Sequence, residues 1–172
     1  VAGDSARCTM RSADVEGEME VTRLLGAALE SAGDVLVAVK LYEQLLGMAQ
    51  DADSEASVRR ANGLLVVAYE AVAAVREAEG DTESMLEYRL RRLDVARACG
   101  DRAKVLAALL DLGKSYEKLG GSENLKLARG VLEQYLELAD ELDDIDAQGA
   151  GAFVLGRIYQ RMERTDDSVV QL

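Results

Sequence analysis

Glycine recurs inside stretches that otherwise read as helix, and it recurs in register. LLGAALESAGD at 24–34 and LDLGKSYEKLGG at 110–121 share leucine-glycine, a large residue three positions later and a second glycine four beyond that. VLGRIYQRMER at 154–164 repeats the first half. The aligned sets are Leu25/Gly26/Leu29/Gly33, Leu112/Gly113/Tyr116/Gly120 and Leu155/Gly156/Tyr159, with Glu163 in place of the last glycine. A glycine inside a helix costs roughly 1 kcal/mol against alanine. Its return at one position therefore implies a contact that admits no side chain. Gly26, Gly113 and Gly156 are expected where two helix backbones approach, facing the alanines Ala38 and Ala128.

A second pattern follows at a near-constant distance. AVKLYEQLLGMA (38–49), MLEYRLRRLDVA (85–96) and ARGVLEQYLELA (128–139) end on Ala49, Ala96 and Ala139, spaced by 47 and 43 residues. Periods of this length mean stacked helix pairs. In the second copy, counting back from Gly80 places Val72-Ala73 at the leucine-glycine position, with Tyr69 displaced by about two helical turns, so an elongated helix over 55–79 is expected. Asp34, Ser54, Asp81, Asp101, Ser122 and Thr165 stand where N-caps are wanted, and Gly33, Gly80, Gly100 and Gly120 where helices should stop. The spacing predicts helices near 15–32, 35–51, 55–79, 82–99, 102–119, 123–142, 146–163 and 166 onward, after a tail or linker over 1–13. The helical domain then covers 14–172, with repeats near 15–53, 54–100, 101–143 and 144–172.

Composition narrows the function. The chain has no proline, tryptophan or histidine, which fits an all-α class of helices joined by short loops. Without histidine, a Ser-His-Asp or Cys-His arrangement is excluded and the commonest transition-metal ligand is missing. Asp140, Glu141, Asp143, Asp144 and Asp146 form an acidic run without calcium-loop spacing, and Gly120-Gly121-Ser122 lacks the lysine of a phosphate cradle. The expectation is a non-enzyme that needs no cofactor or metal. Its net charge of -12, from 32 acidic and 20 basic residues, argues against nucleic acid as a partner. GLLVVAYEAVAAV at 63–75 is too short to cross a bilayer and carries Glu70, and the start has no charged-then-apolar signal pattern. Cys8 and Cys99 suggest no disulfide framework. A cytoplasmic protein without membrane insertion is expected.

Leucine-glycine-x-x-tyrosine, then glycine-aspartate, then an alanine-bearing second helix resembles the tetratricopeptide repeat (TPR), over about residues 18–172. Periods beyond 34 residues are similar to the longer variants in Pins-type adaptors, kinesin light chains and ciliary proteins. The usual tryptophan near the start of each repeat and the proline at its end are missing. The resemblance implies a right-handed α-solenoid of stacked antiparallel helix pairs, about four repeats with the last truncated. It also implies a protein partner whose peptide segment or helix lies in a groove lined by first helices.

Taking the leucine of leucine-glycine as position seven, family members turn positions two, five, nine, twelve and thirteen toward the groove. Position nine gives Ala27, Ala74, Lys114 and Arg157, and position thirteen Ser31, Ala78, Lys118 and Arg161. The cations of the last two copies form a basic strip that would attract a carboxylate-rich partner segment. Arg23, Glu70 and Glu117 complete the candidate groove. The alternative for the strip is ordinary exposed pairing with Glu117 and its neighbours. Chaperone-type carboxylate clamps need lysine and asparagine where Arg23 and Ala27 stand, so that partner is not expected. Arg89, Arg91, Arg92 and Arg97 suggest a basic outer surface on the second helix of copy two. A competing expectation is a structural subunit of a multi-subunit ciliary, axonemal, intraflagellar or motor-associated assembly. DDSVVQL is too short to cover the helix before it, and the chain starts at valine, so the missing cap is expected in a continuation of the same chain or in a partner.

Overall fold

The computed structural model describes the backbone of residues 2–170 and the side chains of 14–164. Seven helices follow one another: α1 (Ala2–Ser31), α2 (Val35–Asp51), α3 (Glu55–Glu79), α4 (Thr82–Cys99), α5 (Arg102–Leu119), α6 (Ser122–Glu141) and α7 (Ile145–Val170). There is no strand among the described residues. They form two compact units, the first ending at Cys99 and the second beginning at Gly100.

The connectors are short because each helix stop and the next start are written in adjacent residues. Gly33, Gly80, Gly100 and Gly120 all take positive φ, the left-handed geometry that ends a helix without a Cβ penalty. Asp53 and Asp143 do the same work with φ of 51° and 53°. Asp53, Gly100 and Asp143 stand 47 and 43 residues apart, the period of the terminal alanines. Ser54 accepts from the Ser57 N–H, Asp81 from Ser84 and Asp101 from Lys104. These bonds favour the ionised carboxylates, and both Asp81 and Asp101 titrate below the ordinary aspartate range.

Several boundaries depart from expectation. Asp34 makes no side-chain cap, and Gly121 rather than Ser122 takes the cap of α6. Asp144 supplies a cap that was not expected, accepting from Ala147 at 2.9 Å. Residues 2–13, expected as a tail, continue α1. Thr165, expected to start a further helix, lies inside α7, and its side chain falls outside the described residues. An i→i−4 ladder with no proline or glycine near 165 carries on.

Within each unit, neighbouring helices run antiparallel. In the first, Met19 clusters with Leu45 and Ala49 while Gly26 meets Tyr42, so α1 descends as α2 rises. In the second, Gly113 meets Leu132 and Arg102 reaches Glu141, pairing α5 with α6; Gly151 meets Tyr135, pairing α6 with α7. α5 and α7 then run side by side in one direction, since Glu117 bonds Arg157 and Arg161 lies beside Gly120. This alternation is α-solenoid packing. Ala49, Ala96 and Ala139 are all 0% exposed, so the alanine that closes each second helix is core. Tyr42, Leu65 and Val72 anchor the first unit; Leu112, Leu125, Leu132 and Ile158 anchor the second. Burying each such side chain stabilises by about 1.5–3 kcal/mol.

Two of the three recurring glycines behave as contact points. A Cβ on Gly26 would lie 2.5 Å from Cε1 of Tyr42, and one on Gly113 would lie 2.9 Å from Cγ of Leu132. The residues they face are thus Tyr42 and Leu132, not Ala38 and Ala128, one helical turn away. Gly156 corrects the third expectation. It is exposed, and a Cβ there would meet nothing within 4 Å. The close approach on α7 is made by Gly151, 2.7 Å from Tyr135 and Leu136 atoms by the same construction.

Candidate functional site

The second unit carries five of the expected groove residues, and Glu117 is joined to two of them. This carboxylate is 7% exposed, near the C-terminal end of α5. Arg157, on α7, donates to it at 2.6 Å, while Arg161, one turn on, donates to the Glu117 backbone carbonyl. Both guanidinium groups sit where the helix dipole leaves carbonyls without partners, so they tie α7 to α5. Arg157 also lies over the Phe153 ring, 5.2 Å from its centroid. Lys114 and Lys118 are exposed on α5, before and after Glu117.

The expected basic strip is therefore a composite. Arg157 is paired with a carboxylate, but Arg161 bonds a neutral carbonyl and keeps its full charge. Arg157 and Arg161 thus join α7 to the end of α5, the helix on which Lys114 and Lys118 are exposed, in a chain whose net charge is -12.

The other two expected residues lie in the first unit. Arg23 pairs with Glu20 on its own helix at 2.6 Å, and this bond lowers the Glu20 carboxyl below its ordinary range and raises the guanidinium. Both line a cleft of about 210 Å³ with Glu16, Met19, Leu45, Ser57 and Arg60. Glu70 turns toward α4, where Arg92 bonds it at 2.8 Å and Arg89 approaches to 3.6 Å. Arg89 also bonds Glu77 at 2.9 Å. The side chains of Arg89 and Arg92 are only 11% exposed, so these two do not form an outer basic surface. They face α3 because the register of α4 places them where α2 carries Tyr42 and Leu45. Arg91 does face outward, bridging Glu87 and Glu43 and lying over Tyr88.

One recurring residue went unread in the sequence. Glu30, Glu77 and Glu117 each stand three positions before a left-handed glycine, Gly33, Gly80 and Gly120. Glu30 accepts from the Tyr42 hydroxyl at 2.9 Å, and Glu77 accepts from Arg89 at the matching position of the next pair. Burial first, then this hydrogen bond, pushes the Tyr42 phenol up to about 12. Opposite Glu117 the matching residue is Leu132, which cannot donate, so this carboxylate turns to α7 instead. The Glu-x-x-Gly spacing was the available signal.

The acidic run is a connector in which Asp144 caps α7, Asp140 accepts from Gln148 and Glu141 pairs with Arg102. Among the described residues no group of three or more acidic or cysteine side chains could hold a metal, and no helix is long and apolar enough to cross a membrane. Cys99 is in no disulfide, and the Cys8 side chain lies outside the described residues.

No family model matches the chain. It is similar to tetratricopeptide repeat protein 29 of Trypanosoma brucei brucei, with 23% identity over 166 residues, 96% of this chain and 34% of that protein. The chain thus spans about a third of the length of the curated relative it matches. Among solved structures, it is similar to the DHF58 filament (19% identity, 91% of this chain and 86% of that one, TM-score 0.49). A Podosopora anserina protein titled as a kinesin light chain with nearly identical TPR-like repeats aligns at 17% identity (87% and 89%, TM-score 0.44). Antiparallel neighbouring helices within each unit, with buried alanines and left-handed turns at one period, make this a helical repeat protein, similar along nearly its whole length to a tetratricopeptide repeat protein.

Proposed function

We propose that the chain is a non-catalytic protein–protein interaction module that holds an acidic segment of a partner protein against the α5/α7 side of its second unit. The observation that carries this reading is the set of cations on α5 and α7, Lys114, Lys118, Arg157 and Arg161, with both arginines joined to Glu117, on a protein that is otherwise strongly acidic. Such a patch steers a carboxylate-rich segment, which the acidic remainder of the chain's surface repels. The Glu117–Arg157 pair holds the two helices together, so the contacts with the partner fall mainly to Lys114, Lys118 and the charge remaining on Arg161.

A fluorescent peptide rich in glutamate and aspartate tests this. The double variant Lys114→Glu, Lys118→Glu leaves the α5–α7 ties in place and should weaken capture by tenfold or more, with affinity falling as salt rises. Equal binding by the variant removes the proposal. A second reading, a structural subunit of a larger assembly, draws support from α1, where Val21, Leu24 and Leu25 are each more than half exposed on one face. Light scattering distinguishes it, since such a subunit should self-associate or aggregate in isolation whereas a self-sufficient module stays monomeric.

A further inference from the structure

The turn after α1 and the turn after α5 differ in what lies on them. At the second, a Cβ on Gly120 would lie 2.8 Å from Nη2 of Arg161, so a long side chain from α7 rests on the turn glycine. Gly33 holds the matching place in the first unit, and a Cβ there would meet nothing within 4 Å. The residue of α3 that matches Arg161 is Ala78, too short to reach across. Ile158 and Val75 also hold one position in α7 and α3, yet Ile158 is 0% exposed and Val75 43%.

The space left open is a cavity of about 240 Å³ beside Gly33, lined by Val35, Leu36 and Val37 of α2 and Val72 and Val75 of α3, with Asp34 in its wall. Its walls come from two successive helix pairs of the first unit, so it is not the bare end of the repeat. The next helix, α4, packs on α3 through Tyr69, Glu70 and Glu77 instead. The volume falls below the roughly 300–1,000 Å³ of a small-molecule site and suits one long side chain. Asp34 gives the wall its charge. Ser54, Asp81, Asp101 and Asp144 each accept an N–H of the helix they open, whereas Asp34 makes no side-chain cap and is exposed. Arg76, the cation next to Val75 in sequence, pairs with Glu79 at 2.7 Å.

We infer that this cavity takes an arginine side chain of a partner protein, its stem against the valines and its guanidinium on Asp34. Arg161 on Gly120 is the internal precedent for such an occupant. Arginine matches both parts of the wall, because its apolar stem can be buried while its planar head pairs with a carboxylate through two parallel bonds. A purely apolar side chain would be set beside the Asp34 charge without answering it. The site is independent of the acidic-segment reading, since it lies in the other unit and attracts the opposite charge.

Methyl NMR of the whole protein tests this, with the acetylated, amidated peptide Gly-Gly-Arg-Gly-Gly as probe and its citrulline counterpart as an uncharged control of the same shape. The arginine peptide should shift the Val37 and Val75 methyl signals saturably. Binding should weaken about threefold or more with citrulline, with Asp34→Asn, and with Val75→Phe, which fills the cavity. Circular dichroism verifies folding; Asp34→Asn removes no cap bond and should keep full helicity. Shifts that spread over the acidic surface without saturating overturn the inference, as does equal binding by the citrulline peptide or by both variants. Val37 and Val75 shifts that grow with protein concentration in the absence of peptide also overturn it, by assigning the cavity to a second copy.

Discussion

The α3–α4 pair and the α5–α6 pair close the same seam with opposite chemistry. In α6 the residue facing α5 is Leu132, with Gly113 opposite. In α4 its equivalent is Arg89, followed one turn on by Arg92, with Ala73 in place of the glycine and Glu70 and Glu77 as partners. The apolar seam is close and needs a point without a side chain. The ionic seam reaches across with long side chains whose stems are buried and whose heads are paired. Ala96 and Ala139 end both helices at 0% exposure, so the frame is constant and only its filling changes. A repeat backbone of this kind is therefore set by its turns and terminal alanines, while the middle of each seam can be apolar or charged.

The largest effect should come from emptying the apolar seam. Leu132→Ala removes a side chain that is 0% exposed and should cost about 3–4 kcal/mol, read by denaturant unfolding. Breaking the ionic seam should cost less. Arg92→Ala leaves Glu70 with the longer Arg89 contact and, because that carboxylate is about a third exposed, should cost about 1–2 kcal/mol. Raising salt should narrow the gap between Arg92→Ala and the parent while leaving that of Leu132→Ala unchanged. An Arg92→Ala cost equal to that of Leu132→Ala would remove the distinction.

The smallest effect is common to both pairs. Asp81 opens α4 and Asp101 opens α5, each held below the ordinary aspartate range, Asp81 by the Ser84 hydroxyl and then its N–H, Asp101 by the Lys104 N–H and then its side chain. A carboxyl depressed in the folded state contributes stability that is complete above its unfolded value, about 3.9, and is lost as pH falls through the lower folded value. NMR titration of the two carboxyl carbons should show both midpoints below that of a free aspartate. Midpoints at or above it would remove the capping account.

The helix limits were legible because stops and starts are chemical. Positive φ favours glycine, and Ser54, Asp81 and Asp101 cap as their side chains dictate. Asp53 and Asp143 were not legible as left-handed turns, since aspartate adopts that geometry far less often than glycine. The seam of α4 was misread because arginine on a helix suggests solvent, and only the fixed register relative to Ala96 shows that Arg89 and Arg92 fall where α2 carries Tyr42 and Leu45. Gly156 was misplaced for a related reason. Sequence gives it the same position as Gly26 and Gly113, but contact depends on whether another helix lies over it. For the candidate site, spacing alone put Lys114, Lys118, Arg157 and Arg161 on related positions. It could not foresee that Glu117 would take Arg157, because that follows from Leu132 being unable to donate.

One substitution at two equivalent positions tests the repeat packing most directly. Thermal and denaturant unfolding of Gly113→Leu should show a loss of about 3 kcal/mol or more, since the new side chain is driven into Leu132. Gly156→Leu should instead gain up to about 1 kcal/mol from helix propensity at an open position. Changes of the same sign and size at both positions would contradict the account.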